Sequence, residues 1–105
     1  MAPITVDATN DSAADAPDAG SAAATTEAHI SSLRTRIDEI DQAIISLWQE
    51  RAALSQEVGK TRVASGGTRL VLARERQILD RFRSVLGEDG VQLALLILRA
   101  GRGPL

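Results

Sequence analysis

The stretch that decides the fold is ISSLRTRIDEIDQAIISLWQERAALSQEVGKTRV, residues 30–63. Its large apolar residues recur mostly at steps of three, four or seven, which places them on one face of an α-helix. They are Ile30, Leu33, Ile37, Ile40, Ile44, Leu47, Leu54 and Val58. Neither Pro nor Gly interrupts the pattern before Gly59. The spacing therefore predicts one helix of ~30 residues or more, ~50 Å long at 1.5 Å per residue.

Two shorter helices are predicted after this one. Residues 64–68, Ala-Ser-Gly-Gly-Thr, break the pattern and predict a loop. A second helix is expected from about Arg69 to Leu86, capped by Gly87. A third is expected to start near Asp89, which has capping-box spacing to Gln92, and to dissolve over 101–104. The predicted fold class is all-α with three helices per chain.

Composition divides the chain into two parts. Residues 1–27 are rich in Ala, Asp, Ser and Thr and contain five acids and no base, so we predict a disordered tail. Residues 28–105 hold all twelve basic residues and nine acids, a net charge of +3, and form the predicted folded domain. With no Cys, no secretory signal and no membrane-length apolar run, we expect a cytoplasmic protein with no membrane contact.

The predicted helices do not balance in a single chain. The first is about twice as long as the others, and the third is apolar nearly all round, which requires burial on several sides. A folded part of this size is also marginal on its ratio of surface to volume. We therefore expect an intertwined homodimer paired through the long helix.

The basic stretch 57–76, EVGKTRVASGGTRLVLARER, raises the possibility of an anion site. Its Gly59-Lys60-Thr61 triplet resembles the end of a phosphate-binding P-loop, but that motif requires Gly at position 54, where this chain has Leu54. A P-loop also follows a strand, whereas this triplet lies in a predicted helix. We reject a P-loop and expect the Gly-Gly pair to act as a hinge.

Charged residues on apolar faces are the candidates for chemistry. The seven-residue step through Ile44 leads to Arg51, and Arg62 lies three turns further on nearly the same face. On the second helix Glu75 interrupts an apolar stripe, with Arg74 beside it. The two guanidiniums, ~16 Å apart at Cα, could hold a small anion between them. An ion pair of Glu75 with Arg51 or Arg62, or a snorkelling Arg51, remains the alternative.

Arg34 lies too far along the same helix to reach Arg51, about 25 Å away, so the two could meet only if Arg34 comes from another chain. Otherwise Arg34 is a solvated surface charge. His29 stands alone without Cys, so no metal site is predicted, and no Ser has a base to activate it. A pocket of cations with one carboxylate suits a unimolecular rearrangement of a small polyanion, in which the protein fixes a conformer and stabilises developing charge.

The order of these motifs resembles that of the all-helical chorismate mutases over residues 30–86. The motifs are Leu33-Arg34-x-x-Ile37-Asp38, Glu50-Arg51, Val58-Gly59-Lys60-x-Arg62 and Arg74-Glu75-x-x-Ile78-Leu79. Ser65 to Arg69 and the Gly-Arg-Gly of 101–103 are similar to the short intracellular branch of that family. The resemblance implies an intertwined three-helix dimer that converts chorismate to prephenate without a cofactor.

The resemblance also implies roles for individual residues. Arg34 of the partner subunit and Arg51 would bind the two substrate carboxylates, and Arg62 would hydrogen-bond the ether oxygen. Glu75 would take the substrate hydroxyl, while the backbone from Thr68 to Val71 would shape the wall with support from Arg74. Lys60, Arg69 and Arg76 are expected to face solvent or a partner surface.

Two departures from the family pattern imply weak catalysis by the chain alone. Many relatives carry Asp at the position of Val71, and many place a Gln late in the third helix, where this chain has Leu95 to Leu98. The branch resembled is activated by complex formation with DAHP synthase, in which residues 99–105 would be remodelled. The alternatives are a helical dimerisation module and a nucleic-acid-binding dimer. The second is disfavoured because Trp48 and Phe82 supply no stacking platform.

Overall fold

The computed structural model describes residues 19–103 as three α-helices, α1 (Ala19–Ala64), α2 (Leu72–Leu86) and α3 (Glu88–Arg102). No strand occurs in that range, so the predicted all-α fold with one long and two shorter helices is confirmed. The chain divides into two units, Met1–Asp38 and Glu39–Leu105. The second unit contains the C-terminal part of α1 together with α2 and α3.

Helix α1 begins earlier than the sequence predicts. It starts at Ala19 instead of Ile30, so residues 19–27 of the predicted disordered tail are helical. The reason is local, because this segment is rich in alanine, the residue with the highest helix propensity, and contains neither Pro nor an interior charge run. Residues 1–18 of the predicted tail lie outside the described part of the chain.

A Schellman motif ends α1 at the predicted Gly-Gly turn. The Gly67 N–H donates to the Arg62 carbonyl oxygen (2.7 Å), and the Gly66 N–H donates to that of Val63 (3.0 Å). Gly66 has φ of 87°, in the left-handed region that a residue without Cβ enters at little cost. The turn is confirmed, and the P-loop-like triplet 59–61 lies inside α1.

Helix α2 begins at Leu72 rather than near Arg69. Val71, its N-cap, is extended (φ −123°, ψ 98°), and its carbonyl accepts the N–H groups of Arg74 and Glu75 at 3.1 Å. Residues 65–71 therefore form a connection that crosses from the end of α1 to the start of α2. The predicted C-cap Gly87 is confirmed, with φ of 69° and its N–H donating to the Arg83 carbonyl.

Helix α3 differs from the prediction at both ends. It starts at Glu88 with Gly87 as N-cap and no capping hydrogen bond from a side chain, so the predicted capping box at Asp89 and Gln92 is wrong. One glycine closes α2 and opens α3, which leaves no linker for a capping side chain. At the other end α3 continues through Arg102, past the predicted dissolution at Gly101.

The core of the second unit is small. Ile78 on α2 and Val91 and Ala94 on α3 are the buried hydrophobic residues of the described chain. Much of the apolar face of α1 is exposed, including Ile44 (57%) and Leu47 (62%). On α3, Leu93, Leu95 and Leu96 are also exposed, so one chain does not provide the burial on several sides that its sequence requires.

Within residues 19–103, none of the helices has the length and hydropathy that crossing a membrane requires.

Candidate active site

A cavity of about 470 Å³ lies in the second unit, among the end of α1, the connection 65–71, the start of α2 and the end of α3. This size is within the range of small-molecule sites. The side chains that line it are mainly cationic or aliphatic, with Glu75 as the carboxylate. The lining residues that bear on function are Arg51, Ser55, Gln56, Lys60, Arg62, Arg69, Leu70, Val71, Arg74, Glu75, Leu98, Gly101 and Arg102.

Arg51 is the most distinctive cation of this cavity. Its Nη1 is buried and has no hydrogen-bond partner within residues 19–103. Buried donors are nearly always paired, so an orphaned guanidinium nitrogen at a cavity wall indicates a site for an anionic acceptor. The ion pair between Arg51 and Glu75, left open as an alternative, does not occur in the structure.

Glu75 pairs with a residue that the sequence did not suggest. Arg102 Nη2 donates to Glu75 Oε1, which joins the last residue of α3 to the first turn of α2. Both side chains are largely shielded from water, with 29% of Arg102 and 17% of Glu75 exposed. The inward orientation expected for Glu75 is correct, but its partner is Arg102 rather than Arg51 or Arg62.

The structure brings together most of the predicted site residues. Arg51, Arg62, Val71, Arg74 and Glu75 all line the cavity. Arg62 reaches it from the last turn of α1, where its carbonyl also anchors the Schellman turn. The Arg74 guanidinium donates to Gln77 (3.1 Å) and shows no hydrogen bond to Glu75.

Some predicted positions behave differently. Thr68 is not a lining residue; its hydroxyl donates to the Leu70 carbonyl (2.6 Å), so Leu70 and Val71 form that wall. Lys60 and Arg69, expected to face solvent or a partner, are exposed and also line the cavity. Arg76 does not line it and is exposed, in agreement with the expectation.

Arg34 lies on α1 in the first unit, and its side chain is exposed. Its predicted contribution to the site of another subunit is therefore a question for the dimer, and it stays a prediction.

Sequence reasoning missed Ser55, Gln56 and Arg102 as contributors. Ser55 and Gln56 fit the polar pattern of an ordinary helix surface, and Arg102 lies in a Gly-rich terminus that predicts loss of helix. The end of α3 lies against Ser55 and Gln56, and Gln56 Nε2 donates a hydrogen bond to the Ala100 carbonyl (3.2 Å). A contact between residues 44 positions apart leaves no signal in local spacing.

The electrostatics of the cavity favour a small polyanion. Six cationic side chains, Arg51, Lys60, Arg62, Arg69, Arg74 and Arg102, face one carboxylate in the described lining. No cluster of three or more His, Cys, Asp or Glu side chains that could hold a metal ion occurs within residues 19–103.

Comparison with known families decides the assignment. The sequence model of chorismate mutase type II matches residues 33–97, more than half of the chain. The chain belongs to the chorismate mutase type II family. This mutase is therefore an isomerase, and the recognised family and all-α fold agree with those predicted from the motifs.

Relatives of similar length support the same assignment. The intracellular chorismate mutase of Mycolicibacterium smegmatis is 50% identical over 76 residues, covering 72% of this chain and 73% of that protein. The intracellular chorismate mutase of Mycobacterium tuberculosis is 51% identical, covering 72% of this chain and 71% of that protein.

A solved structure matches this mutase in fold. It is a chain of the non-covalent complex of DAHP synthase and chorismate mutase from Corynebacterium glutamicum, with a bound transition-state analogue. The match has a TM-score of 0.73 and 44% identity, and it covers 77% of this chain and 98% of that one.

Proposed function

We propose that the cavity is where this chorismate mutase converts chorismate to prephenate, a step in phenylalanine and tyrosine biosynthesis, without a cofactor. The observation that carries the proposal is the buried, unpaired Nη1 of Arg51 on the wall of a strongly cationic cavity. A dicarboxylate substrate supplies the acceptors that this guanidinium lacks, and bidentate binding of a carboxylate suits its geometry.

In the proposed mechanism the protein forms no covalent bond. The substrate is held in the conformer that brings the two carbon termini together, and the ether C–O bond breaks as the new C–C bond forms. Fixing the conformer lowers the entropic cost of the barrier. Arg62 hydrogen-bonds the ether oxygen, where negative charge develops, and a guanidinium remains charged at any working pH.

Other side chains orient the substrate. Arg51 binds one carboxylate, and Arg34 of a second copy binds the other. Glu75 accepts the hydroxyl of the substrate, while the backbone from Arg69 to Val71, together with Arg74, completes the wall. Support for this arrangement is the placement of Arg51, Val71, Arg74 and Glu75 around one cavity.

The proposed biological unit is an intertwined homodimer paired through α1. The exposed apolar side chains of that helix support it, because solvent contact along such a face is unfavourable in an isolated chain. They include Ile37, Ile44, Ile45, Leu47, Leu54 and Val58. The core of the single chain has only three buried hydrophobic residues in its described part, which also supports a dimer.

Activation by DAHP synthase is the second proposed interaction. The lining offers Val71 and Leu98 where many relatives place polar groups, so the isolated mutase is expected to be slow. Complex formation would remodel residues 99–105 and improve the site. The support is the similarity to the mutase chain of the C. glutamicum complex. We also propose a cytoplasmic location, and the support is that the names of the relatives describe them as intracellular.

A direct assay tests the proposal. Purified protein should consume chorismate slowly, measured as loss of its absorbance, and faster when DAHP synthase is added. If chorismate is stable with and without DAHP synthase, the proposed reaction is wrong. If turnover occurs but does not respond to DAHP synthase, only the proposed activation is wrong.

A further inference from the structure

The contact between Arg102 and Glu75 joins two parts of the cavity that are distant in sequence. Arg102 is the last residue of α3, and Glu75 is in the first turn of α2. The contact is a charge-assisted hydrogen bond between partly buried groups, the stronger class of hydrogen bond in proteins. It is therefore more than a solvent-exposed ion pair, which contributes little.

The end of α3 is also fixed against α1. Gln56 Nε2 donates to the Ala100 carbonyl at 3.2 Å. A Cβ built on Gly101 would lie 2.6 Å from Ser55 Oγ, so only glycine permits this approach. Since Arg102 directly follows these docked residues, its guanidinium is delivered to the cavity from a defined position.

The contact has a chemical consequence for Glu75. It engages Oε1 alone, which leaves the second carboxylate oxygen for another donor. Glu75 is also the one carboxylate of the described lining, so it is the candidate acceptor for a ligand hydroxyl there. A guanidinium on Oε1 restricts the rotation of the Glu75 side chain.

We propose that Arg102 is a positioning residue that holds Glu75 through Oε1 so that the other oxygen can accept the hydroxyl of the substrate. Arg102 thus acts on the reaction through Glu75 and recognises one feature of the ligand, its hydroxyl group. The inference rests on the proposed role of Glu75, and it gives Arg102 a role in the site that the family resemblance did not assign.

The test compares Arg102→Gln with Arg102→Lys and with Arg99→Gln in the mutase without DAHP synthase. Arg99 is a matched control because it lies in the same last turn of α3, is exposed and does not line the cavity. Two probes are used: a dicarboxylate transition-state analogue of the reaction and its counterpart without the hydroxyl. Their inhibition constants are measured together with kcat and KM for chorismate, and circular dichroism checks the fold.

We expect Arg102→Gln to weaken the hydroxylated analogue about tenfold, the effect of losing one hydrogen bond to a charged group. The inhibition constant of the analogue without the hydroxyl should change by less than about twofold, which is the size of effect that one weak surface contact has. Arg102→Lys should restore part of the affinity, and Arg99→Gln should change neither constant. The double variant Glu75→Gln/Arg102→Gln should bind the hydroxylated analogue no more weakly than Glu75→Gln does alone.

The outcomes separate this inference from the proposed function. If Arg102→Gln weakens both analogues equally, or neither, Arg102 does not act through the hydroxyl contact and the inference is wrong. If Glu75→Gln leaves recognition of the hydroxyl intact, the proposed role of Glu75 fails, and the inference fails with it. If Glu75→Gln abolishes recognition of the hydroxyl and Arg102→Gln does not, the inference is wrong and the proposed role of Glu75 stands.

Discussion

Ser55 and Gly101 lie so close together that a Cβ on the glycine would be 2.6 Å from the serine Oγ and 2.7 Å from its Cβ. This approach lets the last turn of α3 dock on α1 beside Arg51. A second, polar contact from Gln56 to the Ala100 carbonyl stabilises the same junction. The shape of the cavity therefore depends on a glycine that carries no chemistry itself.

Gly101→Ala should destabilise the mutase and lower its activity. The added methyl group overlaps Ser55, and overpacking of this kind costs about 1–3 kcal/mol. Thermal unfolding and chorismate turnover measure the two effects. Ser55→Gly/Gly101→Ala should recover part of the loss in activity, because it removes the opposing Cβ. If Gly101→Ala behaves as the wild type, the close approach is not maintained in solution.

Arg51→Met should separate stability from activity. The variant removes a buried donor that has no partner within the described residues, so the free energy of unfolding should stay the same or rise. Binding of a dicarboxylate transition-state analogue should fall at least about a hundredfold, as expected when a buried charge partner is lost. Calorimetry measures both quantities, and unchanged affinity would contradict the role of Arg51.

Arg62→Ala should lower kcat by about a hundredfold to a thousandfold with the fold intact, since removing one donor to a developing oxyanion has that effect in other enzymes. Arg76→Ala is the matched control because Arg76 is an exposed arginine that does not line the cavity. Stopped assays of chorismate consumption give kcat for both. Equal rates for the two variants would remove Arg62 from the mechanism.

Mixing inactive variants tests the contribution of Arg34 across the dimer. Arg34→Ala and Arg51→Ala homodimers should each be nearly inactive. A heterodimer of the two has one site with both arginines and one with neither, so activity should return on unfolding and refolding a mixture. The expected recovery approaches about a quarter of the wild-type rate for random pairing of equal chains, given two sites per closed symmetric dimer. No recovery would place both arginines in the same chain's site.

The N-terminal segment can be tested with two truncations. Removing residues 1–18 or 1–27 should leave kcat and KM nearly unchanged, because the cavity is built from residues 51–103. The two truncations differ by the helical residues 19–27, so the longer truncation should show any change in thermal stability. A large loss of activity in either would refute the predicted domain boundary at residue 28.

Local regularities account for what the sequence predicted correctly. Long uninterrupted spacing gave α1, and the glycines at 66 and 87 marked its end and the end of α2. The charge anomalies at Arg51, Arg62 and Glu75 led to one cavity, because residues on a helical face stay on that face after folding. The errors lie at the ends of helices. Alanine propensity extended α1 to Ala19, and contacts with α1 kept α3 helical through Arg102.

By itself, the sequence determined three helices, their two sharp turns and a family whose motifs survive in order from residue 33 onward. These properties depend on spacing and backbone preference over a few residues. Only the tertiary structure decided that Arg102 pairs with Glu75, that Lys60 and Arg69 line the cavity, and that Gly101 packs on Ser55. Such contacts depend on where α3 docks against α1, and that docking is set by shape and packing between residues far apart in the chain.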